Sequence, residues 1–401
     1  MLQQFTMNKV VLILLVGVSL TLFAGAFFYI SQEGEATIIA EQECNALEDY
    51  SQRMNCYSAT IDTFLKTGKT GAALDYVAMI YSNEPSFQSA CHSFMHTIGE
   101  QAYIQFAEGE QFTISPNISI CTFGFYHGFL DTLIQMTGDY SKAQDFCEYT
   151  NELLKESGIS SEALAENCYH GIGHGTIDEH RPDVDTDPYM LTAKTIELCM
   201  KVTATDKQEH DCVTGVFNGI ANYYLDKSLN WKIDFDDPVA LCKVQPEQYK
   251  STCYAFMARV VLGVHDGDVL SSLTHIEQNI EERYVAEVIK NLTLILVINS
   301  GLTEASRKEY VENCHSLQST ENEISCIQGL VAGIIQSGDP QVPYDAIVGI
   351  CFLDSLAEFE QDACLESVHF QVQDWYTLNQ VQTFCQRLEE EYSVVCSAYE
   401  N

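Results

Sequence analysis

Five of the eleven histidines in this 401-residue chain fall where their side chains can act together. His92, His96 and Glu100 are spaced four apart, as are His170, His174 and Asp178. Between these triplets His127 and Asp131 repeat the last two positions, with Phe123 standing in the first. Residues four apart on a helix point the same way, so each set makes a polar stripe along one helix. A neutral imidazole is a ligand for borderline metals, and a neighbouring carboxylate either ligates as well or orients the ring. His92, His96, Glu100, His127, Asp131, His170, His174 and Asp178 are therefore the candidate ligand set for a transition metal: zinc, copper, iron or manganese.

The stripe is confined to part of the chain. At the corresponding positions further on stand Asn218 and Asn222, then Arg259, then Ala332. A histidine needed only to build each repeat would recur throughout. An isolated pair at i, i+4 is more often a solvated or hydrogen-bonded helix face than a metal site; two triplets with His127 in register tip the balance toward ligation. One irregularity stands out. Cys91 directly precedes His92 whereas Cys168 lies two residues before His170, so the first helix must enter at a different rotation. His180, His210, His265, His275, His315 and His369 are scattered and read as ordinary surface or core residues. Tyr103, Tyr126 and Tyr169 near the stripes suit packing or the wall of a pocket. No catalytic residue is assigned, because catalysis needs an open coordination position and a pocket, which a sequence does not define.

The elements that must position the stripes are marked by sixteen cysteines. Short-spaced pairs are Cys44/Cys56, Cys199/Cys212, Cys242/Cys253, Cys314/Cys326, Cys351/Cys364 and Cys385/Cys396; Cys147/Cys168 is a longer version, leaving Cys91 and Cys121 for each other. An even, regular set without Cys-x-x-Cys reads as a disulfide framework in an oxidising compartment. The second cysteines recur at intervals that fit two helices and their turns, and a cysteine-free stretch at residues 276–300 fills the one double-length gap. That period is the signature of an α-solenoid. Long stretches poor in Gly and Pro, at residues 281–300 and 376–391, support an all-α, disulfide-stapled assignment.

Within the repeats Cys-x2-Gly-x3-Gly recurs at Cys121, Cys168, Cys212 and Cys326. Offsets of three and seven return near the cysteine's own direction, giving a face without side-chain bulk. The expected use of that face is close approach to the helix bridged by the disulfide. His127 and His174, six residues after their cysteines, lie roughly 120° away from it. The layout loosely resembles disulfide-stapled helical repeat proteins of the Sel1 or tetratricopeptide kind. Their diagnostic motifs do not occur here, so the resemblance is one of architecture.

Residues 10–30 form an uncharged apolar run of bilayer-spanning length, with Lys9 before it and Glu33 and Glu35 after. The expected organisation is a short cytoplasmic N-terminus at 1–9, a transmembrane anchor or signal segment at 10–30, and a linker at 31–42. Helical repeats with the His/carboxylate stripes follow at 43–230, then His-poor, disulfide-stapled repeats at 231–401. The chain would be anchored with its repeats outside the cytoplasm, or secreted if the small residues Ala24, Gly25 and Ala26 mark cleavage. A formal charge of −37 repels a phosphate backbone and excludes nucleic acid as a partner.

Weaker motifs resolve toward structure. Asp183, Asp185 and Asp187 mimic the start of an EF-hand, but Pro188 and Lys194 break it, so a loop or helix start is expected. Asn117 and Asn291 fit glycosylation acceptors, the first in a loop and the second opening an apolar helix. The function expected is extracytoplasmic metal capture, delivery or metal-dependent chemistry. The alternative is a surface scaffold that binds a protein or glycan without metal.

Overall fold

The computed structural model describes residues 43–84, 87–108, 115–121, 123–156, 162–179, 186–226, 228–229, 231, 234, 236–300, 304–336 and 349–375. The expected anchor at 10–30, the linker at 31–42 and the helix at 376–391 lie outside the described residues. What is described is all-helical, without a strand. Two sets of helices alternate. One set stacks, each member against the next: α3 (Gln88–Ala107), α4 (Gly124–Thr137), α6 (Glu162–Glu179), α8 (Asp206–Leu225), α10 (Glu247–Val264), α12 (Glu282–Ser300), α14 (Thr320–Gln336) and α15 (Glu358–Trp375). The other set flanks the stack: α1 (Tyr50–Lys66), α2 (Thr70–Asn83), α5 (Tyr140–Glu156), α7 (Pro188–Val202), the single turn α9 (Ala240–Lys243), α11 (Val269–Asn279) and α13 (Glu304–Cys314).

Local signals place these helices. Asp49 accepts from the Gln52 amide to start α1, and Asp268 from the Ser271 amide to start α11. Asp187 does the same for Tyr189 and Met190 ahead of Pro188, a helix start as expected, while Asp183 and Asp185 lie outside the described residues. Gly138, at φ 61°, ends α4 in the left-handed conformation that spares a glycine the Cβ clash. The cysteine-free stretch forms α11 and α12, and the apolar run in α12 buries Leu292, Ile295, Leu296 and Val297. Asn291 sits in the middle of α12 rather than opening it, and Asn117 lies in a 3-10 turn with its amide donating to Asp75.

Seven of the expected disulfides are present among the described residues: Cys44–Cys56, Cys91–Cys121, Cys147–Cys168, Cys199–Cys212, Cys242–Cys253, Cys314–Cys326 and Cys351–Cys364. No described cysteine is free, and Cys385 and Cys396 lie outside the described residues. A bridge of this span contributes on the order of 3 kcal/mol in the chain-entropy model. Such a density of disulfides fits an oxidising, extracytoplasmic environment. Among the described residues no helix is long and apolar enough to cross a membrane.

At Gly215 and Gly329 the glycine face works differently from the expectation. A Cβ on Gly128 would run into the backbone carbonyl of His96, one on Gly215 into that of His170, and one on Gly329 into that of Lys290. Each glycine thus meets the preceding stacked helix; for Gly128 that is α3, which Cys121–Cys91 also bridges, whereas for Gly215 and Gly329 the disulfide runs to a flanking helix instead. The face is wide enough for both neighbours: the cysteine reaches the flanking helix while the glycines, up to about 60° further round, meet the stack. Gly124 meets His92 and Gly128 meets His96, so the contacts advance together and the stacked helices run parallel. The stack also coils back on itself, with α12 touching α3 and α15 touching α6. In an open repeat array each unit touches only its neighbours; here helices five places apart in the stack meet.

Candidate metal centre

Close helix approach brings the histidines of three successive stacked helices together. His92 and His96 come from α3, His127 from α4, and His170 and His174 from α6. The His127 ring lies at the centre: its centroid is 5.3 Å from His92, 5.2 Å from His96, 5.3 Å from His170 and 4.6 Å from His174. Ligand nitrogens of His92, His96 and His127 all lie within 4.8 Å of one another, as do those of His127, His170 and His174. His127 belongs to both triads.

The start of α4 is held in an unfavourable conformation. Cys121 (φ 56°) and Phe123 (φ 60°) are both left-handed without being glycine. Such residues cost on the order of 1–3 kcal/mol each and persist where the surroundings over-determine them. Here the bridge to Cys91 pins the turn, and the Cys121 carbonyl accepts a hydrogen bond from His92 Nδ1 at 2.9 Å. The irregular spacing of Cys91 and His92 is accommodated at this turn.

The hydrogen bonds also fix tautomers. A carbonyl only accepts, so Nδ1 of His92 carries the proton and Nε2 keeps its lone pair. His170 Nδ1 is 2.7 Å from Thr214 Oγ1, whose own hydrogen goes to the Asp211 carbonyl at 2.5 Å. Nδ1 must therefore donate, and His170 Nε2 is left as an acceptor for the Asn218 amide at 3.1 Å. His127 Nε2 and His174 Nε2 are buried with no hydrogen-bond partner. Buried imidazole nitrogens without partners are uncommon, because an unmade bond forfeits the full desolvation cost.

All five rings are kept neutral. Burial depresses His96 and His170 to about 3, assisted by the charge of His92 at His96 and of Arg259 at His170. His127 and His174 are pushed well below the usual imidazole range, by burial first and by the surrounding histidines second. His92 is lowered by burial against the opposing pull of its bond to Cys121. Five neutral imidazoles are in the protonation state that ligation demands.

The carboxylates of the sequence pattern are less involved than the rings. Glu100 is exposed at the end of its stripe. Asp131 is half-buried but is not among the converging donors, and the Asp178 side chain lies outside the described residues. Among the described residues the donors that meet in this cluster are imidazoles only. Tyr126 and Tyr103 are packed in the core, and Tyr169 is nearly so.

Residues outside the sequence pattern complete the surroundings. The Phe256 ring stands 5.8 Å from His170, and Arg259 lies 5.8 Å from Phe256 with Nη1 donating to Asn222 at 2.6 Å. Burial lowers Arg259 to about 10, and its charge reaches His92, His170 and His174. Arg259 and Asn218 occupy the positions where histidine gives out, which was their only sequence signal. His265 and His275, expected to be ordinary, meet edge to face at 5.1 Å. No protein-family model, curated protein or solved structure matches the chain.

Proposed function

We propose that this protein captures or delivers a transition metal outside the cytoplasm, held by His92, His96, His127, His170 and His174 within a coiled helical-repeat array. The observation that carries the reading is the convergence of these five neutral imidazoles from three helices, with His127 Nε2 and His174 Nε2 buried and unbonded. An all-imidazole set suits zinc and copper(II) over manganese, which prefers carboxylate and water oxygens. A neutral imidazole has one lone pair, so His127 serves one ion at a time and this cluster holds a single ion. When the ion binds, His170 Nε2 exchanges the Asn218 amide for the metal. Asp131, Asp178 and Glu100 serve to orient rings or balance charge.

The apolar run at residues 10–30, free of charge and flanked by Lys9 and Glu33, supports attachment to a membrane with the repeats on the far side. Resistance to carbonate washing checks that part; a soluble form beginning near Phe27 overturns it. For the metal site, full-length protein purified without an affinity tag is assayed for zinc and copper. One ion per chain that disappears in the His127→Ala/His174→Ala double variant is expected. Absence of zinc and copper from native protein, or their retention by the folded double variant, leaves the reading of a scaffold for a protein or glycan.

A further inference from the structure

A second group of donors lies far along the chain from the histidine stripes. His315 follows directly on the end of α13, Glu323 is in the first turn of α14, and Glu360 is in the first turn of α15. His315 Nε2 is 3.0 Å from Glu360 Oε1 and 3.8 Å from Glu323 Oε1. For donors about 2.1 Å from a shared metal, neighbouring ligand atoms are about 2.9–3.4 Å apart; the Glu360 separation falls in that range and the Glu323 separation lies just beyond it. One nitrogen and one oxygen from each carboxylate all lie within 4.8 Å of one another.

Helix capping does not account for this group. Glu360 caps its helix through one oxygen, Oε2, which accepts from the Ala357 amide at 2.6 Å. That bond orients the carboxylate and leaves Oε1 turned toward His315 and Glu323. Glu360 is only 3% exposed, and its Oε1 has no hydrogen-bond partner, the 3.0 Å approach of His315 lacking the geometry of one. A buried carboxylate oxygen beside a second carboxylate is costly unless a proton or a cation joins them, and Glu323 is held above the usual carboxylate range by burial first and by Glu360 second. A protonated His315 offsets one negative charge of two; a divalent cation offsets both.

We infer that His315, Glu323 and Glu360 form a second, independent site for a divalent metal ion of the manganese class, with water completing its coordination. One imidazole with two carboxylates is a harder donor set than the imidazole cluster, so manganese discriminates between the two. The site depends on neither the stripes nor the metal reading given to them.

The test uses full-length protein with manganese(II) as the probe, followed by its paramagnetic resonance and by metal retained after gel filtration. The charge of −37 attracts cations diffusely, so the comparison among variants decides, not bare uptake. Expected is one tightly held manganese per chain, weakened at least about tenfold by Glu323→Gln, Glu360→Gln or His315→Asn, and unaffected by His127→Ala/His174→Ala. Glu360→Gln keeps an oxygen for the Ala357 amide. Glu323→Gln removes a carboxylate beside another, so the metal-free variant should melt no lower than the parent while losing the stabilisation that manganese gives. The inference is overturned if manganese is not held by the parent chain, or if it is held equally by the folded Glu323→Gln and Glu360→Gln variants. In either case the three residues are an ion pair and a cap. The imidazole cluster is judged separately, by zinc and copper.

Discussion

The α3/α4 pair and the α12/α14 pair are built alike and used differently. In the first, Gly124 and Gly128 seat α4 against His92 and His96; in the second, Gly329 and Gly333 seat α14 against Lys290, Leu294 and Val297. The carbonyl of the leading cysteine is engaged in both: His92 bonds Cys121 at 2.9 Å, and Thr293 bonds Cys326 at 3.0 Å. Where the first pair buries His127, the second buries Ala332. Threonine and alanine thus satisfy everything the packing asks. The ring of His127 exceeds what packing alone asks at this position, and its buried, unbonded Nε2 carries a cost that the proposed ion would offset.

The largest effect that would break this contrast is on metal content. His127→Ala/His174→Ala should remove the zinc or copper ion entirely while leaving the far pair's melting behaviour intact; Thr293→Val should cost about 1 kcal/mol of stability and no metal.

Acid should separate the two regions next. In the unfolded chain the five imidazoles titrate near 6.5, while in the folded metal-free protein His96 and His170 titrate at about 3 and the others below their usual range. Below pH 6.5 the unfolded state therefore binds protons that the native state refuses, so stability falls with pH down to about 3. Each fully buried ring adds up to about 1.4 kcal/mol per pH unit to that slope. Hydrogen exchange should show protection in α3, α4 and α6 collapsing between pH 6.5 and 5, before that in α12 and α14. Simultaneous loss in both regions would show that the imidazoles do not set the acid sensitivity.

Gly128→Ala and Gly329→Ala form a matched pair. Each added methyl meets a backbone carbonyl, and each should destabilise by about 1–3 kcal/mol in thermal or denaturant unfolding. Only Gly128→Ala should also weaken zinc or copper binding, since it moves His127 away from His96. Smallest is Glu100→Gln: exposed and apart from the converging rings, it should change affinity for either ion by less than about twofold.

The cysteines made much of the architecture legible, because a bridge between neighbours in sequence leaves a spacing that repeats. The stripes were legible because i, i+4 periodicity reports a helix face. Neither kind of signal reaches across the stack. Which helix the glycines touch depends on how a face is shared between two neighbours, and only coordinates settle that. Arg259 and Phe256 approach His170 from α10, two stacked helices beyond α6, with no periodic mark. His315, Glu323 and Glu360 supply one donor each from three separate segments, so no local pattern could have joined them, and His315 read as ordinary. Glu100 shows the opposite limit: it is in perfect register, but register says nothing of depth, and its side chain is exposed.

Every disulfide described here joins cysteines that are consecutive in the chain, from Cys44–Cys56 to Cys351–Cys364. A chain threaded N-terminus first into an oxidising space presents each cysteine to the one that emerged just before it. An oxidase that joins thiols in order of arrival therefore writes the native pattern directly, and the slow thiol–disulfide reshuffling that interleaved bridges require has nothing to correct. Export in that order would let each repeat be sealed before the next appears.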